Sequence, residues 1–293
     1  MPISVPRKDD GYSGRELARN SREEAVIMTI FASDALQGKH AIVTGATGGI
    51  GRAIARQLLR MGADVTLTGR DRARLAELQE EIAGEHPSAR VKTVAAELTR
   101  EEDRIRLVRE AELAHGPVSL LVNNAGVYKF GTVEELTEDD LEELMRINFT
   151  SAVLFTQLVY EGMKKRKEGA VVNVSSLSGL RGNYGSTAYS ASKFALIGFT
   201  HCFAVEAIRH NVRVNAVCPG FVDTDMGHHV IRENAAVRGE TYERQLALTN
   251  AGIPSGRITT AEEVANAVAF LLTEASGNIV GESLKISGGA VLR

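Results

Sequence analysis

The stretch His40-Ala41-Ile42-Val43-Thr44-Gly45-Ala46-Thr47-Gly48-Gly49-Ile50-Gly51 decides the fold. It opens as an apolar run of strand length and passes into a glycine-rich turn. Beyond the turn Ile54, Leu58, Leu59 and Met61 recur at helical spacing. A strand, a Gly-rich turn and a helix in that order make a dinucleotide-binding βα unit. Glycines permit the tight turn and let the backbone approach a pyrophosphate seated on the helix N-terminus. The spacing is Gly-x-x-x-Gly-x-Gly rather than Gly-x-Gly-x-x-Gly, and a plain Gly-rich turn is the alternative.

Outward from this unit, apolar runs alternate with helical patterns. Strands are expected over 65–68, 91–95, 118–122, 170–174, 212–217 and 283–286. Helices are expected over 72–83, 105–113 (Ile105, Val108 and Leu113 inward), 141–165, 189 to about 210, and 261–272. The alternation predicts an α/β fold, one doubly wound parallel sheet with helices on both faces, spanning residues 37–293. Residues 1–36 form an extension of little pattern. Within it 15–31 could be helical, the alternatives being a loose tail or residues upstream of a start at Met28. The long charged stretch 225–256 is expected to be a substrate loop, often a lid.

The second strand ends at Gly69-Arg70-Asp71. About 20 residues past the glycines an NAD site places an acid on the ribose 2′-hydroxyl, whereas a 2′-phosphate calls for a cation. Arg70 therefore predicts NADP(H), with NAD(H) as the alternative. Asp71 is assigned to capping the next helix. Asn123-Asn124-Ala125-Gly126 ends the fourth strand, suited to close packing under an adenine and a ribose, or to a tight turn. Asn148 lies mid-helix, where Asn is a mediocre helix former; it bonds backbone or water, or serves a site that needs that water.

Tyr189-Ser190-Ala191-Ser192-Lys193 places a phenol and an ammonium on one helix face. A nearby cation favours the phenolate and is expected to pull its pKa toward neutrality. Ser176, just past the apolar run 170–174, puts a hydroxyl at the carboxyl end of a strand, where such sheets bind ligands. Alone, a Tyr–Lys pair at this spacing is ordinarily a pair of surface neighbours; the other stretches make it a candidate acid/base. Cys218-Pro219-Gly220-Phe221-Val222-Asp223-Thr224 follows the sixth strand as a rigid turn.

Taken together and in this order, the motif Thr44-Gly45-x-x-x-Gly49-Ile50-Gly51, Asn123-Asn124-Ala125-Gly126, Asn148, Ser176, Tyr189-x-x-x-Lys193 and Pro219-Gly220 with Thr224 resemble the short-chain dehydrogenase/reductase family over roughly residues 38–290. The stretch 214–226 is similar to 3-oxoacyl and polyketide ketoreductases. The resemblance implies about seven strands and a catalytic tetrad of Asn148, Ser176, Tyr189 and Lys193. It implies a homodimer or homotetramer paired through the helices carrying Asn148 and Lys193. Tyr189 would exchange a proton with the substrate oxygen as hydride moves, and Ser176 would hold that oxygen. Lys193 would lower the Tyr189 pKa and hold the nicotinamide ribose, while Asn148 would keep a water linking Lys193 to solvent. Cofactor contacts are expected from Gly45, Thr47, Gly48, Gly49, Ile50, Gly51, Arg70, Leu98, Asn124, Ala125, Gly126, Tyr189, Lys193, Pro219, Gly220, Val222 and Thr224. Two positions depart from the family pattern: Glu97 stands for the usual Asp, and Ser287 precedes Gly288-Gly289.

The function implied is NADP(H)-dependent reduction of a small or acyl-linked carbonyl. An NAD-linked alcohol dehydrogenase and a non-catalytic dinucleotide-binding protein are the alternatives. A chain of 293 residues, 44% hydrophobic with net charge −3, gives no reason to expect a nucleic-acid or membrane partner. Cys202 and Cys218 have no metal-type spacing and read as buried hydrophobes in a cytoplasmic protein. His228-His229, close to Asp223 and Asp225, is assigned to the lid rather than to a metal.

Overall fold

The computed structural model describes residues 31–292. Seven parallel strands stand in the order β3-β2-β1-β4-β5-β6-β7. They are β1 (His40–Thr44), β2 (Asp64–Gly69), β3 (Val91–Ala95), β4 (Leu120–Asn123), β5 (Gly169–Val174), β6 (Val212–Pro219) and β7 (Ser283–Ile286). Strand order reverses between β1 and β4, and at such a switch point the carboxyl ends of the strands open a crevice.

The central strands are buried on both faces, which is why they read as unbroken apolar runs. Successive residues alternate between two cores. Ala41, Val43, Leu120, Val122, Ala170 and Val172 face the layer of α1 (Gly49–Arg60), α2 (Arg72–Glu85) and α9 (Ala261–Leu272). Ile42, Leu121, Val171, Val212 and Val214 face α3 (Glu101–His115), α5 (Ser151–Arg166) and α6 (Thr187–Ala207). Each fully buried branched side chain contributes about 1.5–3 kcal/mol.

Several expectations need correction. On α3 the inward face is Arg104, Leu107 and Ala111, whereas Ile105 and Leu113 are 51% and 77% exposed. Of the expected stripe Val108 does pack against the core, while Ile105 and Leu113 do not; Arg104 reaches inward because its guanidinium donates to Leu98 O. The helix drawn as one piece over 141–165 is three: α4 (Glu138–Met145), a π-helical turn (Arg146–Thr150) and α5. Thr137 and Asp140 form a capping box that starts it earlier than the apolar pattern does. The stretch 225–256 is mostly helical, α7 (Asp225–Arg238) and α8 (Tyr242–Ala251). Thr224 and Thr241 cap their N-termini, and Gly239 at φ +65 ends α7. Its apolar points are too sparse to show a helical period, since α7 buries only Ile231 and Ala235 and α8 only Gln245.

Leu36, placed in the extension, is 2% exposed, and its N–H donates to Met61 O. The folded unit therefore takes in residues from Phe31 onward. The helix considered over 15–31 lies, but for Phe31, outside the described residues. Cys218 is buried as expected, but Cys202 is exposed on α6. One described helical stretch, Thr187–His210, is long and apolar enough to cross a membrane; it is the helix packed against β6, and its Phe203, Ala204 and Ala207 belong to the second core.

Candidate active site

A cavity of about 340 Å³ opens at the switch point. Its walls are the carboxyl ends of β1 to β5 and the turns that follow them. Of the residues expected to hold a cofactor, Gly45, Thr47, Gly48, Gly49, Ile50, Gly51, Arg70, Leu98, Asn124, Ala125, Gly126, Tyr189, Lys193 and Thr224 line it.

The glycines are forced by close approach. A Cβ on Gly51 would sit 2.3 Å from Gly45 O, and one on Gly45, at φ +61, 2.8 Å from Ala125 Cα. Both contacts are with backbone, which cannot move aside. The first turn of α1 has no side-chain cap and no acidic residue. Its free N–H groups and positive dipole end suit an anion. Thr68 Oγ1 is buried on the cleft wall with no hydrogen-bond partner. These features fit the pyrophosphate and sugars of a dinucleotide.

At the adenosine end Arg70 is 64% exposed, and its guanidinium stands 3.8 Å from Glu97. Two neighbours stand there, Glu97, noted in the sequence as a departure from the family pattern, and Arg74, which sequence reasoning missed. Arg74, one turn into α2, donates to Thr47 O at 3.3 Å and lines the cavity. Glu97 accepts from Thr99 Oγ1 at 3.1 Å and also lines it. Arg70 precedes the Asp71 cap and lies outside α2, so helical spacing does not link Arg74 to it; the turn between β2 and α2 brings both to the cavity. Asp71 caps α2 as expected, accepting from the N–H groups of Ala73 and Arg74.

At the other end Tyr189 and Lys193 lie on the first turns of α6. The Lys193 ammonium stands 5.7 Å from the Tyr189 ring centroid and donates to Val174 O at 3.1 Å. Burial lowers the Lys193 pKa to about 8. The Tyr189 phenol does not follow the expected direction. Burial pushes it up to about 12, and the adjacent Ser176 hydroxyl offsets only part of this. Desolvation thus sets the direction, and the Lys193 ammonium, itself buried and turned toward Val174 O, does not reverse it.

Ser176, Asn148, Pro219, Gly220 and Val222 do not line the large cavity. Ser176 lies beside Tyr189 at the head of a short 3₁₀ turn, its Oγ accepting from Ser178 N. Gly220 N–H donates to Ile286 O, and Val222 pairs with Thr259, so both shape the turn that presents Thr224. Thr224 meets the Gly-rich turn directly: a Cβ on Gly49 would fall 2.5 Å from its methyl.

Asn148 occupies the π turn and is 1% exposed. Its Oδ1 accepts from Val127 N at 2.8 Å, and its Nδ2 donates to Val127 O and Ser192 Oγ. Both amide hydrogens are therefore spent. What remains toward Lys193 is the second lone pair of Oδ1. A Cβ on Gly126 would touch Oδ1 at 3.2 Å and Lys193 Nζ at 3.4 Å, so the two flank the same glycine. His228 is tied at both ring nitrogens, to Asp223 Oδ1 and to the Tyr242 hydroxyl, each at 2.7 Å, and so joins the start of α7 to α8.

Known proteins agree with this architecture. The family model described as short chain dehydrogenase matches residues 39–235. A 3-oxoacyl-(acyl-carrier-protein) reductase of Aquifex aeolicus is 39% identical, the match covering 87% of this chain and 98% of that protein. Acetoacetyl-CoA reductase of an Acinetobacter species is 36% identical over 86% of this chain and 97% of its own length. Among solved structures, a variant of actinorhodin polyketide ketoreductase with NADPH superposes with a TM-score of 0.83 at 31% identity, covering 86% of this chain and 97% of that one. With its reversed-order parallel sheet, its glycine cradle and these relatives, the chain belongs to the short-chain dehydrogenase family.

Proposed function

We propose that this protein uses NADPH to reduce the ketone of an acyl-linked substrate, a 3-oxoacyl thioester, to a secondary alcohol. It is an NADP(H)-dependent carbonyl reductase by its family and relatives. The thioester class is the finer inference, supported by the names of relatives that act on acyl-carrier-protein and coenzyme A substrates. The observation that carries the chemistry is that Tyr189 and Lys193 line the end of the cleft away from Arg70, with Ser176 beside Tyr189 and Asn148 beside Lys193, while the glycine cradle lines the same cleft.

Bound there, a reduced nicotinamide would supply the hydride. Tyr189 gives its phenolic proton to the ketone oxygen. A phenol held near 12 carries that proton at neutral pH, the form a reduction requires. Ser176 Oγ donates to the same oxygen and steadies its developing charge. Lys193, with a pKa of about 8, is mostly cationic at neutral pH, and its charge favours the phenolate left behind. Asn148 orients the Val127 backbone and offers Oδ1 toward the water path to Lys193. Thr224 and the Val222 backbone would hold the carboxamide, and Arg70 with Arg74 would hold the 2′-phosphate. Location in the cytoplasm belongs to this reading, supported by two free cysteines.

The test is NADPH oxidation followed over 3-oxoacyl thioesters, cyclic ketones, steroids and sugars, with Tyr189→Phe alongside wild type. Thioesters are expected to give the highest kcat/KM. Tyr189→Phe is expected to lose at least about 10³-fold in kcat while binding NADPH normally. A variant retaining most of its kcat removes Tyr189 from the mechanism.

A further inference from the structure

We infer that Tyr128 is a positioning residue for Tyr189, held in place by a clasp between two loops; the inference rests on the reading of Tyr189 as the acid. The two rings meet edge to face, centroids 5.1 Å apart at 73°. Tyr189 lines the cofactor cleft and Tyr128 does not, so Tyr128 meets the acid without being part of that cleft's wall. Its hydroxyl lies 3.5 Å from Ser186 Oγ, at the residue that caps α6.

The backbone carrying Tyr128 is pinned at both ends. On one side Asn148 bonds both the N–H and the C=O of Val127. On the other, Gly131 N–H donates to Gly185 O at 2.9 Å, and Gly131 bridges Ser186. Phe130 lies against Gly185, where a Cβ would be 2.0 Å from its ring, and its ring centroid is 6.3 Å from that of Tyr184. Gly185 is at φ +66, so no other residue is easily accommodated. The loop carrying Tyr128 follows β4 and leads to α4; the other leads into α6, and its Ser186 stands three residues before Tyr189.

A phenol swinging about χ1 and χ2 would leave the proton misaimed much of the time. A ring edge packed on its face removes that freedom. Aromatic pairs of this geometry resist separation modestly, but small misplacement of an acid costs far more in rate than in stability. The consequence falls on kcat. A mere substrate wall at Tyr128 would instead act on KM.

The experiment is steady-state kinetics with acetoacetyl-CoA and NADPH on wild type, Tyr128→Phe, Tyr128→Ala, Phe130→Ala and Tyr189→Phe. NADPH affinity is read by fluorescence, and Tyr189 ring motion by NMR with ring-labelled tyrosine. Tyr128→Ala is expected to lose roughly ten- to hundredfold in kcat, with KM and NADPH affinity within about threefold and a faster Tyr189 ring flip. Tyr128→Phe keeps the ring edge and restores most of kcat. Phe130→Ala loosens the clasp without touching the pair and lowers kcat in the same sense. It decides the matter should Tyr128→Ala fail to fold, and the ring-flip comparison decides it should acetoacetyl-CoA not be turned over. Unchanged kcat and ring motion in Tyr128→Ala, or a loss carried by KM alone, overturns the inference. Turnover surviving in Tyr189→Phe overturns the reading of the site instead.

Discussion

Lys193 shows how one residue's surroundings set its chemistry. On a surface its ammonium would stay charged to well above pH 9. Buried beside Gly126 and donating to Val174 O, it drops to about 8 because burial strips its water, the nearby Cys218 opposing the drop; burial pushes that thiol up to about 12. The lowered value means that the cation is present below pH 8 and is lost as pH rises through it. Reduction, which leans on that cation, is expected to show kcat level near pH 6.5–7.5 and falling above about 8. A rate–pH profile measured at saturating NADPH checks this, and a plateau extending to pH 10 would contradict it. The glycine cradle makes the complementary point. Gly45 and Gly51 contribute no group of their own; they matter because backbone already occupies the space a Cβ would need.

Among the elements, α6 serves two masters. One side carries Lys193, Leu196, Thr200, Phe203 and Ala207 into the core. The opposite side shows Phe194 at 46% and Val205 at 63% exposure, with Gly198 and Cys202 between them. Phe194 and Val205 are eleven residues apart, three helical turns, so they share a face. A stripe of this kind on a helix that carries the acid fits the dimer or tetramer proposed from family resemblance. Val205→Glu is expected to yield a smaller species in light scattering after size-exclusion chromatography, with secondary structure kept. The π turn beneath Asn148 is the other telling element. It adds one residue to a turn and so swings the Asn148 amide onto the Val127 backbone, a placement a regular helix would not give.

For the molecule as a whole, the amino-terminal edge of the sheet holds a pH-sensitive tie. His40 on β1 is 2% exposed, bonded to Gly116 O after α3 and to Thr66 Oγ1 on β2, with the His115 ring 5.2 Å away. Burial lowers its pKa from 6.5 to about 4, and burial lowers that of His115 too. A depressed value in the folded state means that the unfolded chain takes up the proton first. Stability is therefore complete above about pH 6.5 and declines as pH falls toward 4. The His40 contribution is of order 3 kcal/mol. Urea unfolding at pH 7.5, 6, 5 and 4.5 is expected to show the decline, and His40→Gln to show a shallower one.

How far the sequence could be read varied with the physics involved. The strands at His40–Thr44, Val91–Ala95 and Ser283–Ile286 and the helix Ala261–Leu272 were legible to the residue, because burial on one or both faces writes itself into apolar spacing. So was the family, since a glycine turn, a strand-end amide pair and a Tyr–Lys step recur in a set order. The helices over 225–256 were not, because caps and side contacts, rather than a continuous apolar stripe, hold them. Nor was the inward face of α3, which a buried arginine shares. Local pattern reports which groups leave water. It does not report what they meet on arrival. That the phenol of Tyr189 is raised and not lowered, that Tyr128 backs it, and that Glu97 stands against Arg70 all depend on residues far apart in the chain. Electrostatics and packing of that kind exist only once the sheet has closed around them.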